Sequence, residues 1–438
     1  MNILLASTPL AGHFNPVCAT ARILVAAGHD VVFMTGSVFR SRVESIGARF
    51  IPLPGYADLN LSNIDSTFPE RSTYPAGLPR LRFDMECVFV DTIADQAAGL
   101  RATLADFPAE LILTDDVFAG TLPFLLDPKA ERPAIAALGV TFLIFHRDDG
   151  APPSLGLPPT TEQAQLAEYR TLMEAADAAL FEPLRVRVDR ILSAMDVPRL
   201  PLSFFDSLVM LPDCFLHPSA PEFEYPRHDM PKTVRFVGAL PPPAHYELPA
   251  DIAAALSLGR RVVLVTQGTL ANFDFNELVA PTLEALADRD DVTVLVSTGG
   301  RPVSEIAVEL PRNARVAPFL PFDLVMKKVD VLVTNGGFGT VTTALGHAVP
   351  MVVAGMTEDK AEVAARVAWS GSGIDLRTER PTPLQLRSAI DTVLSDHRFR
   401  DRAAEMARAF ARYDAADEIT SLIAATVASR HARTASPT

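Results

Sequence analysis

Asp330-Val331-Leu332-Val333-Thr334-Asn335-Gly336-Gly337-Phe338-Gly339-Thr340-Val341 decides the fold. An apolar run of strand length, Asp330–Thr334, meets a glycine-rich turn, and a helical stretch, Val341–Leu345, follows at once. In doubly wound sheets ligands gather beyond the carboxyl ends of the strands, so a loop in this place is where a ligand is to be sought. Its glycines let the backbone approach a phosphate closely, and the start of the helix offers unpaired N–H groups and a positive dipole end. A diphosphate suits it; a turn that merely joins strand to helix is the plainer alternative.

The same alternation of short apolar runs with amphipathic stretches continues on either side, as expected of repeated β-α units on a parallel sheet. Downstream of residue 250 it predicts further strands at Arg261–Thr266, Thr293–Val296, Ala314–Pro318 and Met351–Ala354, with a helix at Glu277–Ala287. Upstream it predicts strands at Asn2–Ser7, Asp30–Thr35, Arg49–Leu53, Glu110–Thr114, Ala134–Leu138 and Ser207–Met210. Asn15-Pro16 reads as an N-cap and first-turn pair, which places a helix from there to Ala27 with Gly28 as its stop. Phe39–Ile46, Asp84–Ala105 and Thr161–Met195 also read as helical, whereas Gly55–Arg82 and Pro152–Pro159 read as loops. Val237-Gly238-Ala239-Leu240-Pro241-Pro242-Pro243 is a stiff connector poor in N–H donors. The expected plan is α/β: two doubly wound Rossmann-like halves facing a cleft. Residues 1–236 are expected to form the first half and 250–400 the second, with 237–249 as linker. A helix over 401–429 is expected to return to the first half, and 430–438 reads as a tail.

The 438 residues, 48% hydrophobic, hold more core than one domain needs. A formal net charge of -14 argues against nucleic acid or an anionic membrane as partner. No apolar run is long enough to span a bilayer and Met1–Ser7 lacks the basic start of a signal peptide, so a cytoplasmic monomer or homodimer is expected. Cys18, Cys87 and Cys214 lie scattered in apolar contexts and read as buried thiols.

A second strand-end loop, Thr266-Gln267-Gly268-Thr269, offers a hydroxyl and a glycine N–H to a β-phosphate. The first half's loop, Thr8–Asn15, holds only Gly12 and lacks the G-x-G-x-x-G spacing, which disfavours a dinucleotide enzyme. His13 lies in that loop. A lone histidine is commonly structural, but Asp115 ends another strand at the same edge of the sheet, where its carboxylate can orient the imidazole as a general base. Asp116 stays open as the alternative partner. The Asp115-Asp116 pair can also be read as a metal site, but no third ligand stands at a suitable offset, so no metal is expected.

With these residues in place the chain resembles the family 1 glycosyltransferases, bacterial relatives of the macrolide and plant secondary-metabolite enzymes, over nearly its whole length and most strongly from Ala317 to Leu376. The family's Gly-His-x-x-Pro turn falls on Gly12-His13-Phe14-Asn15-Pro16, and its assisting aspartate on Asp115. Its donor signature falls on Phe319-Leu320-Pro321, on Asn335-Gly336-Gly337-Phe338-Gly339-Thr340 and on Asp359-Lys360. The resemblance implies that Phe319, with Leu320 beside it, stacks on the nucleotide base. It implies that Gly268, Thr269, Asn335, Gly336, Gly337, Gly339 and Thr340 hold the diphosphate, and that Asp359 and Lys360 meet sugar hydroxyls. Three positions depart from the pattern: Asn335 replaces a histidine, Thr343 stands where many UDP-sugar enzymes carry a ribose-binding glutamate, and Lys360 replaces a glutamine.

The implied activity is inverting transfer of a hexosyl or deoxyhexosyl group from a UDP- or dTDP-sugar, with dTDP-rhamnose one candidate, to a hydroxyl of a small apolar acceptor. The nucleotide sugar is a co-substrate and no cofactor is expected. Phe14, Phe83, Phe89, Phe118, Phe142 and Phe145 are expected near the acceptor cleft, some of them as ordinary core. A nucleotide-sugar epimerase and a non-catalytic nucleotide-binding protein are the competing readings.

Overall fold

The computed structural model describes residues 1–75, 77–128, 131–242, 247–268 and 272–435. Thr269, part of the expected linker (243–246) and the last three residues of the tail therefore lie outside the described residues.

Thirteen described strands make two all-parallel sheets. The first contains β1 (Asn2–Ala6), β2 (Asp30–Thr35), β3 (Arg49–Pro52), β4 (Leu111–Asp115), β5 (Ala134–Leu138), β6 (Cys214–His217) and β7 (Val234–Phe236), in the order β3-β2-β1-β4-β5-β6-β7. The second contains β8 (Arg261–Thr266), β9 (Val292–Ser297), β10 (Ala314–Ala317), β11 (Val331–Thr334), β12 (Met351–Val353) and β13 (Gly373–Asp375), in the order β10-β9-β8-β11-β12-β13. Helices cover both faces of a doubly wound sheet, so its central strands are apolar throughout; β1, β4, β5, β8, β9 and β11 are buried almost end to end. In each sheet the order reverses beside the first strand, between β1 and β4 and again between β8 and β11. Chain leaving such a pair of strands diverges to opposite faces and opens a crevice, the place where this fold binds ligands.

The first helix spans Ala11–Ala26 and so begins before Asn15. The Leu10 carbonyl accepts from the N–H of His13 (3.0 Å) and of Phe14 (2.8 Å), closing a first turn ahead of the proline. Pro16 then lies inside the helix, where it withholds one N–H from the Gly12 carbonyl. Ser207–Met210 belongs to a helix, Phe204–Met210, and is not a strand: the Ser203 hydroxyl accepts from Asp206 N–H (3.1 Å) and caps it. The strand that pairs with β5 is β6 instead. Gly55–Arg82, expected as loop, carries short helical pieces at Ile64–Thr67, Pro69–Thr73 and Leu78–Asp84.

Ile419, Ile423 and Val427, spaced four apart on the helix Ala415–Ala435, are buried with Ile3, Leu5, Leu113 and Leu216, so the chain's last helix lies on the first sheet. The halves also share core. Phe142, Ala220 and Phe223 of the first are buried with Leu264, Val341, Met351 and Val363 of the second. Among the described residues no helix is long and apolar enough to cross a membrane.

Candidate active site

β1 and β4 are adjacent, with Leu4 opposite Ile112 and Ala6 opposite Thr114. That register brings the chain leaving β1 alongside the last residue of β4, Asp115. The His13 Nδ1 stands 3.0 Å from Asp115 Oδ1, and the same carboxylate accepts from Thr8 N–H (2.7 Å) and Val117 N–H (3.3 Å). With three neighbours directed at it, Asp115 is held in one orientation. Since a carboxylate only accepts, the His13 proton lies on Nδ1 and Nε2 is left as the basic atom. The Asp115 side chain is inaccessible, whereas 18% of the His13 side chain is exposed, which suits a buried orienting group and a base that meets solvent or substrate. Burial works to lower the His13 pKa, but Asp115, and then Asp116 and Asp359, outweigh it, and the net shift is upward.

Asp115 is therefore the histidine's partner, and Asp116 takes a different place. One Asp116 oxygen accepts from Val140 N–H (3.3 Å), while the other is buried with no hydrogen-bond partner among the described residues. Burial pushes its carboxyl up to about 7. Between its ordinary value near 3.8 and about 7 the folded protein thus binds a proton that the unfolded chain does not, so this group lowers stability as pH rises across that window. One unit corresponds to about 1.4 kcal/mol. Denaturant unfolding at pH 5 and pH 8 should show Asp116→Asn gaining on the wild type by about 2 kcal/mol at the higher pH; an equal difference at both pH values would contradict the burial account. Ligand-type atoms of His13, Asp115 and Asp116 lie within 4.8 Å of one another. His13 is thus the third potential metal ligand that spacing along the chain did not reveal.

The second half repeats the arrangement. β8 and β11 are adjacent, with Thr266 opposite Thr334, and their exit loops are tied by Asn335 Nδ2, which donates to the Gln267 carbonyl (2.6 Å). Gly336 sits at φ +92°, where a side chain is strained, and a Cβ there would come 2.9 Å from Val353. At Gly337 and Gly339 a Cβ would meet nothing within 4 Å. Protein packing does not require glycine at those two positions; open space lies over the start of the Phe338–Gly346 helix, and Thr340 lines it half-buried. The Thr343 hydroxyl donates to the Gly339 carbonyl (2.7 Å). Phe319 is 41% exposed and its ring lies over Gly300, where a Cβ would come 2.8 Å from the ring edge. The Gly299-Gly300 turn that seats this ring was not singled out in the sequence, although a Gly-Gly pair directly after a strand is a legible signal. Leu320, expected beside the base, is buried in the second half's core.

Asp359 precedes the helix Lys360–Ser370 and reaches across to the first half, accepting from the Thr141 hydroxyl (2.6 Å). Burial raises its pKa. Lys360 is buried and paired with Glu358, whose backbone is held at φ +56°. The donor-side turn touches the same segment, for Gly336 lies close to the Lys360 carbonyl and Gly355 to the Asn335 carbonyl. The structure thus gathers His13, Asp115, Asp359, Lys360 and the 335–340 turn around one cleft between the halves. All six phenylalanines are buried in core clusters, and of them Phe89 also reaches the site, its ring 5.4 Å from that of His13. Phe14 is buried between Phe33 and Phe39, and Phe83 packs on Phe68 and Tyr74. Phe118, Phe142 and Phe145 also lie in core clusters. These five were placed at the cleft by their position in loops, but burying an aromatic ring is favourable wherever the fold allows it.

Two doubly wound halves with facing switch points, a histidine–aspartate pair on one and a glycine-lined helix start on the other, define a glycosyltransferase of the GT-B fold. Comparison with known proteins agrees. Residues 280–425 match the family model described as Erythromycin biosynthesis protein CIII-like, C-terminal domain. The chain is 38% identical over 422 residues to 4'-demethylrebeccamycin synthase of Lentzea aerocolonigenes, covering 96% of this chain and 98% of that protein. It is 34% identical to UDP-glycosyltransferase 2 of Phaeomoniella chlamydospora, with 97% and 96% covered. The solved structure of the glycotransferase of kitacinnamycin superposes with a TM-score of 0.72 at 21% identity over 97% of this chain and 99% of that one, a likeness of fold. The chain belongs to the family 1 glycosyltransferases.

Proposed function

We propose that this enzyme transfers a hexosyl or deoxyhexosyl group from a UDP- or dTDP-sugar to a hydroxyl of a small apolar acceptor, with inversion and without a metal ion. The observation that carries the reading is the His13–Asp115 pair at one switch point, with Asp359 of the donor half close enough to add to the charge felt by His13. In this reading Nε2 of His13 takes the acceptor's proton as its oxygen attacks the anomeric carbon. The leaving diphosphate is stabilised by the N–H groups and dipole at the start of the Phe338–Gly346 helix and by Thr340. Asn335 and Gly268 hold the loops that cradle it, Phe319 takes the base, and Asp359 and Lys360 meet the sugar. Phe89 beside His13 supports an apolar acceptor. Similarity to a UDP-glycosyltransferase and to 4'-demethylrebeccamycin synthase supports a UDP-sugar donor and a natural-product acceptor.

The metal-free part of this reading is supported by the engagement of Asp115, whose carboxylate accepts from His13, Thr8 and Val117. Transfer from UDP-sugars and dTDP-sugars to a panel of phenolic and polyketide hydroxyl compounds should proceed unchanged in excess EDTA. Loss of turnover in EDTA with recovery on adding a divalent ion would overturn the metal-free part, and isomerised donor without any acceptor product would favour the epimerase.

A further inference from the structure

Outside the cleft, the most heavily engaged charged groups form a chain across the two halves. Glu362, in the first turn of the Lys360–Ser370 helix, accepts from Ser154 N–H (3.1 Å) and Gly156 N–H (2.9 Å) of the first half through one oxygen. Its other oxygen accepts from Arg366 Nη1 (2.8 Å). Arg366 Nε in turn donates to Glu224 (2.9 Å), whose second oxygen accepts from Leu143 N–H (3.1 Å) and the His217 ring (2.9 Å). The Arg366 guanidinium lies over the rings of Phe142 (4.6 Å) and Tyr225 (4.3 Å), and no side chain of the Glu362–Arg366–Glu224 triad is more than 1% exposed. Although burial acts against its charge, Arg366 and His217 hold the Glu224 carboxyl far below the usual range.

Stability alone is a poor reason to keep such a group of charges. Replacing a buried ionic triad by apolar side chains of similar volume is often neutral or stabilising, and here Arg366 Nη2 is buried with no hydrogen-bond partner among the described residues, a standing cost. What the triad adds is direction. It joins the loop that follows β5 to the helix whose preceding residue is Asp359, and Thr141 of that same loop bonds Asp359 itself. Contact there is close: a Cβ on Gly156 would come 2.5 Å from the Ala361 carbonyl.

We infer that Glu362, Arg366 and Glu224 are positioning residues that fix the start of the Lys360–Ser370 helix against the acceptor half and so set Asp359 opposite His13. The inference rests on the reading of Asp359 as a sugar ligand. It separates two properties, because a free nucleoside diphosphate is gripped by the donor half alone, whereas turnover needs both halves in register.

In Glu362→Gln, kcat should fall about tenfold while the Kd for UDP measured by calorimetry stays within twofold of the wild type. Pulsed dipolar distances between spin labels at the exposed positions Ser45 and Ser388, one in each half, should broaden in the same variant. Gly156→Ala, which alters no charge, should give the same pattern, and so provides the test should Glu362→Gln fail to fold. An apolar triple variant, Glu224→Leu with Glu362→Leu and Arg366→Met, should keep its unfolding temperature and still lose kcat; a stable triple variant with wild-type kcat would overturn the inference. An unchanged distance distribution in Glu362→Gln would do so as well. If Asp359→Ala retained full kcat, the reading of Asp359 would fall, while the distance measurement would still report on the triad.

Discussion

His13→Ala loses transfer by roughly 10²–10⁴-fold, the span attributable to a positioned general base, while UDP binds as it does to the wild type. The separation follows from the architecture. His13 stands at the β1–β4 switch point of one half, and the surface proposed for the diphosphate stands at the β8–β11 switch point of the other. The pH profile carries a second signature of the same pair. His13 acts only when neutral, and its pKa is raised above 6.5 by Asp115 with help from Asp116 and Asp359, against the effect of burial. The acid limb of kcat/KM therefore has its midpoint above 6.5 and rises with pH. Asp115→Asn removes the largest favourable charge and shifts that midpoint to lower pH while lowering the plateau, because Asn can no longer stabilise the imidazolium. A His13→Ala enzyme with near-wild-type turnover, or an acid limb unmoved by Asp115→Asn, contradicts the assignment.

Much of this site was legible in the chain because it rests on local signals. A glycine cluster between an apolar run and a helix is a compact pattern, and His13 and Asp115 each stand within a few residues of a strong central strand. Strands buried on both faces announce themselves as unbroken apolar runs, which is why β1, β4, β8, β9 and β11 were found close to their observed bounds. Short edge strands were less visible: β7 and β13 have three residues each, too few for any period to register. The Phe204–Met210 helix was missed although Ser203 and Asp206 carry a readable cap, since its apolar run of Leu208, Val209 and Met210 imitates a strand.

What depended on tertiary contact was not legible at all. Apolar residues in loops near a strand end serve core and cleft alike, and all six phenylalanines joined core clusters, with Phe89 alone also placed against His13. The Glu224–Arg366 pair spans 142 positions in the chain and leaves no trace in local spacing. The likeness of Asp115 and Asp116 as neighbouring carboxylates hid their different fates: one faces His13 and Thr8, the other retreats against Val140 with an oxygen unpaired among the described residues.

The central claim is that a diphosphate binds over the start of the Phe338–Gly346 helix, and Gly337→Asp tests it with an effect of opposite sign on stability and on binding. Gly337 is the N-cap of that helix, with φ -58° and ψ 128°, a conformation open to any residue, and a Cβ there meets nothing within 4 Å. Aspartate is among the best N-caps and complements the helix dipole, so the folded protein is expected to be as stable as the wild type or slightly more so. Its carboxylate, however, would occupy the place assigned to the phosphates. Two like charges about 4 Å apart repel by about 4 kcal/mol at an effective dielectric of 20, and the competition for the same N–H groups adds to that. Calorimetric titration of UDP into the wild type and into Gly337→Asp should therefore show affinity lost by at least about 100-fold with an undiminished unfolding temperature. A Gly337→Asp protein that is stably folded and binds UDP as tightly as the wild type would place the diphosphate elsewhere and contradict the account.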